Sequence, residues 1–184
     1  MHLCGHQDEA KIYQGPLSVN ELPEFISQAL AKPVNYADDY VRSVLALKGR
    51  LEAALKASLV LDDDMNYNAA QSLTCKVAGK DEALAKVYEF DVRFYISSKS
   101  PLFAIYCFDR KWGMTDRGRA NHPIEQERLP KSVLASMDIA KDLLSECDFK
   151  EVEHRYFFLP ATGCVTQMDG LPATVFECLF AEIV

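Results

Sequence analysis

The segment Val87-Tyr88-Glu89-Phe90-Asp91-Val92-Arg93-Phe94-Tyr95-Ile96-Ser97 alternates without a break. Tyr88, Phe90, Val92, Phe94 and Ile96 fall on one side, and Glu89, Asp91 and Arg93 on the other. A period of two with one apolar side is the pattern of an antiparallel strand whose sheet has a buried face and a wetter one. Ser98-Lys99-Ser100-Pro101 follows with turn chemistry. Leu102 to Phe108 then returns as a continuously apolar run, which predicts a strand covered on both faces. Residues 86–109 therefore read as an aromatic β-hairpin.

Beyond the hairpin, residues 109–129 show neither the strand nor the helix period. A loop of this length inside a compact domain is uncommon, and is more often functional or disordered than passive. From Pro130, the residues Val133, Met137, Ala140, Leu144 and Cys147 share one helical stripe. Phe149 to Leu159 reads as another strand. Pro160 to Pro172 is rich in turn residues, with a possible short strand near Cys164 to Met168. Thr174 to Val184 is apolar enough to predict a terminal strand inside the sheet.

Before the hairpin, Ser72 to Val77 reads as a short strand. A long helix is predicted from Ala37 to Leu59, with Val41, Val44, Leu45, Leu51, Ala54, Leu55 and Leu59 as its apolar face. Asp38 and Asp39 oppose the positive end of its dipole. Gly49 inside it costs about 1 kcal/mol against alanine, and Asp62-Asp63-Asp64 stops the pattern. An earlier short helix carries Leu22, Phe25, Ile26, Ala29 and Leu30 on one stripe. Ser18-Val19-Asn20-Glu21 has the form of a capping box before it, Pro23 stands in its first turn, and Pro33 ends it. Residues 1–17 are polar and irregular, the pattern of a mobile end.

The expected order is α-α-β-β-β-α-β-β. Strands that come in a run favour an α+β fold. We expect a mainly antiparallel sheet of about five strands, with the two N-terminal helices and the later helix packed on one face. The 184 residues fit one domain.

Charge narrows the function classes. The chain carries a net charge of −7, which argues against nucleic acid, whose phosphates demand a basic face, and against an anionic membrane surface. It permits a basic protein partner. Six cysteines lie far apart, mostly in apolar runs such as Ala104-Ile105-Tyr106-Cys107-Phe108. The opening residues MHLCGHQDEA hold no apolar signal run. Buried free thiols in a reducing cytoplasm are the better reading than a disulfide framework. No run reaches the length of a membrane-spanning helix.

No motif carries specific chemistry. His2, Cys4 and His6 are soft metal ligands but lack a fourth partner and the usual spacing, so no metal is expected. The sixth position counted from Asp62 is Tyr67 rather than glycine, so the aspartate run is not a calcium loop. No glycine-rich phosphate loop and no Gly-x-Ser-x-Gly elbow occurs, and no cofactor is implied. His122 and His154 are the candidate general bases of an enzymatic alternative, with Cys107 or Cys164 as conceivable nucleophiles and Arg117 or Arg119 to hold an anionic substrate. The stronger signal is the loop after the hairpin. It sets Arg110, Lys111, Trp112, Arg117 and Arg119 close together in an acidic chain, and Trp112 is the only tryptophan. Tryptophan and arginine dominate binding hot spots. The expectation is a non-catalytic protein-binding or inhibitory protein, of the kind that immunity and antitoxin proteins represent, with a toxin as the candidate partner. A small-ligand sensor is a further alternative.

Overall fold

The computed structural model describes residues 22–62, 68–81, 86–109, 129–166 and 170–181. In chain order the elements are α1 (Glu24–Leu30), α2 (Asp38–Leu55), β1 (Leu59–Asp62), β2 (Ala70–Asp81), β3 (Lys86–Ser97), β4 (Leu102–Asp109), α3 (Lys131–Glu146), β5 (Lys150–Glu151), α4 (His154–Phe157), β6 (Pro160–Val165), β7 (Pro172–Thr174) and a π-helix (Glu177–Ala181). The fold is α+β. The alternating segment forms β3, the middle strand of a sheet ordered β1-β2-β3-β4-β5. The pairings from β1 to β4 are antiparallel. The last, between β4 and β5, is parallel. The sheet is therefore mixed. β6 and β7 form a separate two-stranded sheet.

Both faces of the main sheet are used. Val92, Phe94 and Ile96 of β3, with Leu73, Cys75, Phe103, Ile105 and Cys107, pack against Val44, Leu47 and Leu51 of α2 and Val133, Met137, Ala140 and Leu144 of α3. On the opposite face, Ala70, Leu102, Ala104 and Tyr106 meet Ile26 and Ala29 of α1, Phe157 of α4, and Leu179 and Phe180 of the π-helix. The expectation that all helices share one face is corrected. α1 is short and its stripe is narrow, so it covers only one end of the second face. β4 is buried from Leu102 to Cys107, as its unbroken apolar run predicts.

Several boundaries differ from the sequence reading; β2, expected at Ser72–Val77, runs from Ala70 to Asp81. The long helix stops at Leu55, not Leu59. Lys56 takes a left-handed conformation (φ 52°), and its N–H bonds back to the Glu52 carbonyl. The Glu52 carboxylate, bridged to Lys48 at 2.6 Å, accepts the Leu59 N–H at 2.9 Å. These two bonds, the Leu59 N–H first, hold that carboxyl below the usual range. The chain thus reverses into β1, an unforeseen strand. The expected strand at Phe149–Leu159 is only Lys150–Glu151, followed by the helical turn α4. Asp148, at φ 63°, swings the chain out of α3. The Lys150 and Val152 N–H groups then dock on the carbonyls of Pro101 and Phe103 at 3.0 and 2.8 Å. Of the expected terminal strand from Thr174 to Val184, only Thr174 among the described residues is in a strand, β7 of the small sheet, and the chain is helical from Val175 to Ala181. Thr174 and Glu177 form a reciprocal cap there. Glu177 accepts from the Thr174 N–H at 2.7 Å, and Thr174 Oγ1 accepts from the Glu177 N–H at 3.3 Å. The possible strand near Cys164–Met168 is present as β6, placed earlier at Pro160–Val165.

Gly79 positions the end of the sheet nearest the candidate loop. A Cβ there would lie 2.6 Å from Pro130 Cγ and 2.7 Å from Phe90 Cε2. Only glycine lets that ring and the proline close over β2. Because Phe90 is also the register partner of Asp109, the chain leaves β4 and returns to α3 at one end of the sheet.

Candidate functional site

Arg110, Lys111, Trp112, Arg117, Arg119 and His122 all lie in 110–128, outside the described residues. So do His2, Cys4, His6, Asp63 and Asp64. What the structure does define is an open surface at the end of the sheet where β4 stops, on the face opposite α3.

This surface is the second face of the main sheet, toward the β2–β3 turn. Period-two geometry sends Glu89, Asp91, Arg93 and Tyr95 of β3 to that side. The register places Arg93 between Thr74 and Tyr106, and Thr74 opposite Val60 of the edge strand β1. A row Val60-Thr74-Arg93-Tyr106 therefore crosses four strands. In the next row Asp91 stands opposite Lys76, an opposite-charge pairing that favours this register. α1, α4 and the π-helix cover only the far end of the face. Toward the turn, Lys76, Ala78 and Glu89 are exposed, and Thr74, Asp91 and Arg93 are half-buried. Val60 is 62% exposed.

An aromatic cluster borders the open part. Tyr95 packs edge-on to Tyr106 and to Phe176, with centroids 5.9 and 5.2 Å apart. Tyr106 stacks on Phe157 at 5.1 Å with rings 6° from parallel. Phe176 meets Phe157 at 5.0 Å and Phe180 at 5.5 Å. Each such contact adds about 0.5–1.5 kcal/mol beyond area burial, so the border is rigid. Arg93 is held against it. Its guanidinium donates to the Tyr95 hydroxyl at 3.2 Å, and its central carbon lies 5.9 Å from that ring's centroid, within cation–π range. Burial, and then the neighbouring Tyr95, push the Tyr106 hydroxyl well above the usual tyrosine range.

His154 opens α4 at the rim of this cluster. Its ring meets the edges or faces of Tyr106, Phe157 and Phe158 at centroid distances of 6.2, 5.1 and 5.7 Å. Although exposed overall, it is desolvated enough on that side for its imidazole to sit below the usual histidine range. The structure does not bring it together with the conceivable nucleophiles. Cys107 belongs to the core on the α2/α3 face, the side of β4 opposite to its neighbour Tyr106. Cys164 packs instead with Ala161, Ala173 and Cys178. Among the described residues no group of three or more His, Cys, Asp or Glu could hold a metal ion.

Sequence reasoning named Arg93 only as part of a wet strand face, and passed over Tyr95, Tyr106 and Val60. The alternation of 87–97 already puts Tyr95 beside Arg93. Nothing local reveals that β1 brings Val60 into the same row. Comparison of the chain with protein-family models, with curated proteins and with solved structures finds no match. Among the described residues no helix is long and apolar enough to cross a membrane.

Proposed function

We propose that the chain is a non-catalytic binding protein that recognises a protein partner in the cytoplasm, as an immunity or antitoxin protein neutralises a toxin. The contact surface in this reading is the open part of the second sheet face, extended by the segment bearing Arg110, Lys111, Trp112, Arg117 and Arg119. The observation that carries it is the row Val60-Thr74-Arg93 on the open part of the face, with its arginine held against the half-buried Tyr95. Arginine and tyrosine braced on a rigid sheet are the chemistry of binding hot spots, because little rotamer freedom is lost on contact. Further support comes from the chain path. Strand β4 ends opposite Phe90 at the end of the sheet where this face is open, and Pro130 closes over Gly79 beside that ring on the α3 side, so the basic segment leaves and re-enters the described chain at that end of the sheet.

The test is affinity capture with the full-length chain from its source cells, followed by native mass spectrometry and calorimetry with the captured protein. A stoichiometric protein complex is expected. Arg93→Ala and Trp112→Ala should each weaken it by about 2 kcal/mol, roughly thirtyfold in Kd. A complex unaffected by both substitutions, or no added protein mass, would overturn the reading.

A further inference from the structure

We propose that Cys164 and Cys178 form a redox-active dithiol that closes into a reversible disulfide, fastening β6 to the π-helix. The proposal does not rest on the binding role above. Among the described residues the cysteines are all free thiols, and Cys164 and Cys178 meet in one small cluster of their own. Cys178 is fully buried at the start of the π-helix, where it forms a small cluster with Ala161 of β6 and Ala173 of β7. The half-buried Cys164 packs against the same cluster. The small alanines leave the two cysteines, with Leu30 beside them, to fill the site.

The surroundings divide the roles. Burial first, then the hydrogen bond and charge of Cys164, push the Cys178 thiol up to about 12, while the Lys99 ammonium pulls it down and the Glu177 carboxylate raises it. Lys99 is itself 8% exposed, in the turn between β3 and β4. The more accessible Cys164 is thus the thiol that meets an oxidant, and Cys178 is the resolving partner. With hydrogen peroxide as the oxidant, the Cys164 thiolate attacks one peroxide oxygen. The O–O bond breaks, leaving a Cys164 sulfenic acid, and the other oxygen leaves as water once protonated. The sulfenic acid is neutral, so the Cys164 charge no longer opposes ionisation of Cys178, while Lys99 still favours it. The Cys178 sulfur then attacks the sulfenic sulfur, forms the S–S bond and expels the hydroxyl as a second water. Overall two thiols lose two electrons and two protons, and one peroxide becomes two waters. A dithiol reductant reverses the bond by exchange.

The experiment treats the reduced full-length chain with hydrogen peroxide, blocks the remaining thiols with an alkylating reagent, and maps the peptides by mass spectrometry. Two of the six thiols should be lost, with a cross-linked peptide joining Cys164 to Cys178 that dithiothreitol releases. In Cys178→Ser the sulfenic acid on Cys164 should persist and be trapped by a 1,3-dione. Lys99→Met should slow closure severalfold in the otherwise unchanged chain. The proposal is overturned if Cys164 and Cys178 both remain alkylatable, if Cys164 passes directly to the sulfinic acid in the wild-type chain, or if either pairs with a different cysteine.

Discussion

Tyr40 shows how much one side chain can tie together. It lies on the buried side of α2, and its hydroxyl accepts from the Gln71 N–H at 2.7 Å and donates to the Ile96 carbonyl at 2.6 Å. Gln71 and Ile96 are register partners, so one hydroxyl joins the helix to two strands of the sheet. Tyr40→Phe keeps the ring but strips a bond from each of two buried backbone groups. We expect a loss of about 1–3 kcal/mol in urea unfolding. The same site sets an alkaline limit. Burial holds the Tyr40 hydroxyl well above the usual tyrosine range, and the Gln71 N–H only partly opposes this. Above a pH of about 10 the unfolded tyrosine loses its proton while the folded one keeps it. The unfolded state then binds fewer protons, so stability must fall as pH rises. That fall should be shallower in Tyr40→Phe. A variant as stable as wild type, with the same alkaline slope, would show that the hydroxyl adds nothing. None of this is visible in the sequence, where Tyr40 falls outside the apolar face read for its helix; its partners are 31 and 56 residues away.

Among the elements, the C-terminal helix is the one whose signal was present but unread. Thr174-Val175-Phe176-Glu177 has the Thr-x-x-Glu form of a capping box. Its apolar content weighed toward a strand instead, because short buried strands and short buried helices look alike by hydrophobicity. The hydrogen bonds between Thr174 and Glu177 settle the choice. Thr174→Ala should cost about 1 kcal/mol, read as a lower midpoint in thermal unfolding followed by circular dichroism. An unchanged midpoint would mean that packing of Phe176, Leu179 and Phe180 fixes the helix without its cap. The element also explains a site feature. Phe176 and Phe180 brace Tyr95 from below, so the orientation of Arg93 depends on a segment that the sequence reading placed in the sheet. By contrast, β3 and β4 were legible nearly residue by residue. Their period, the turn between them and the unbroken apolar run of β4 are all local signals.

At the scale of the whole molecule, legibility follows separation along the chain. Adjacent strands β2, β3 and β4 could be read because each pairs with its neighbour through a short connection. β1 and β5 could not: four and two residues carry no period, and only their docking makes them strands. The row Val60-Thr74-Arg93-Tyr106 shares this property, since its edge residue belongs to one of those strands. The parallel pairing of β5 has a consequence for how the chain folds. β4 can meet β3 by closing a small loop, whereas β5 reaches β4 only after some 40 residues have been gathered, an entropy cost that grows with loop length. Folding should therefore begin in the antiparallel meander and α2, and finish where β5 docks. Native-state hydrogen exchange would register this as two tiers. The amides of Val92 and Phe94 should open only with global unfolding, and those of Lys150 and Val152, bonded to Pro101 and Phe103, at a lower free energy. Equal protection at both places would instead make the parallel edge part of the same cooperative unit as the meander.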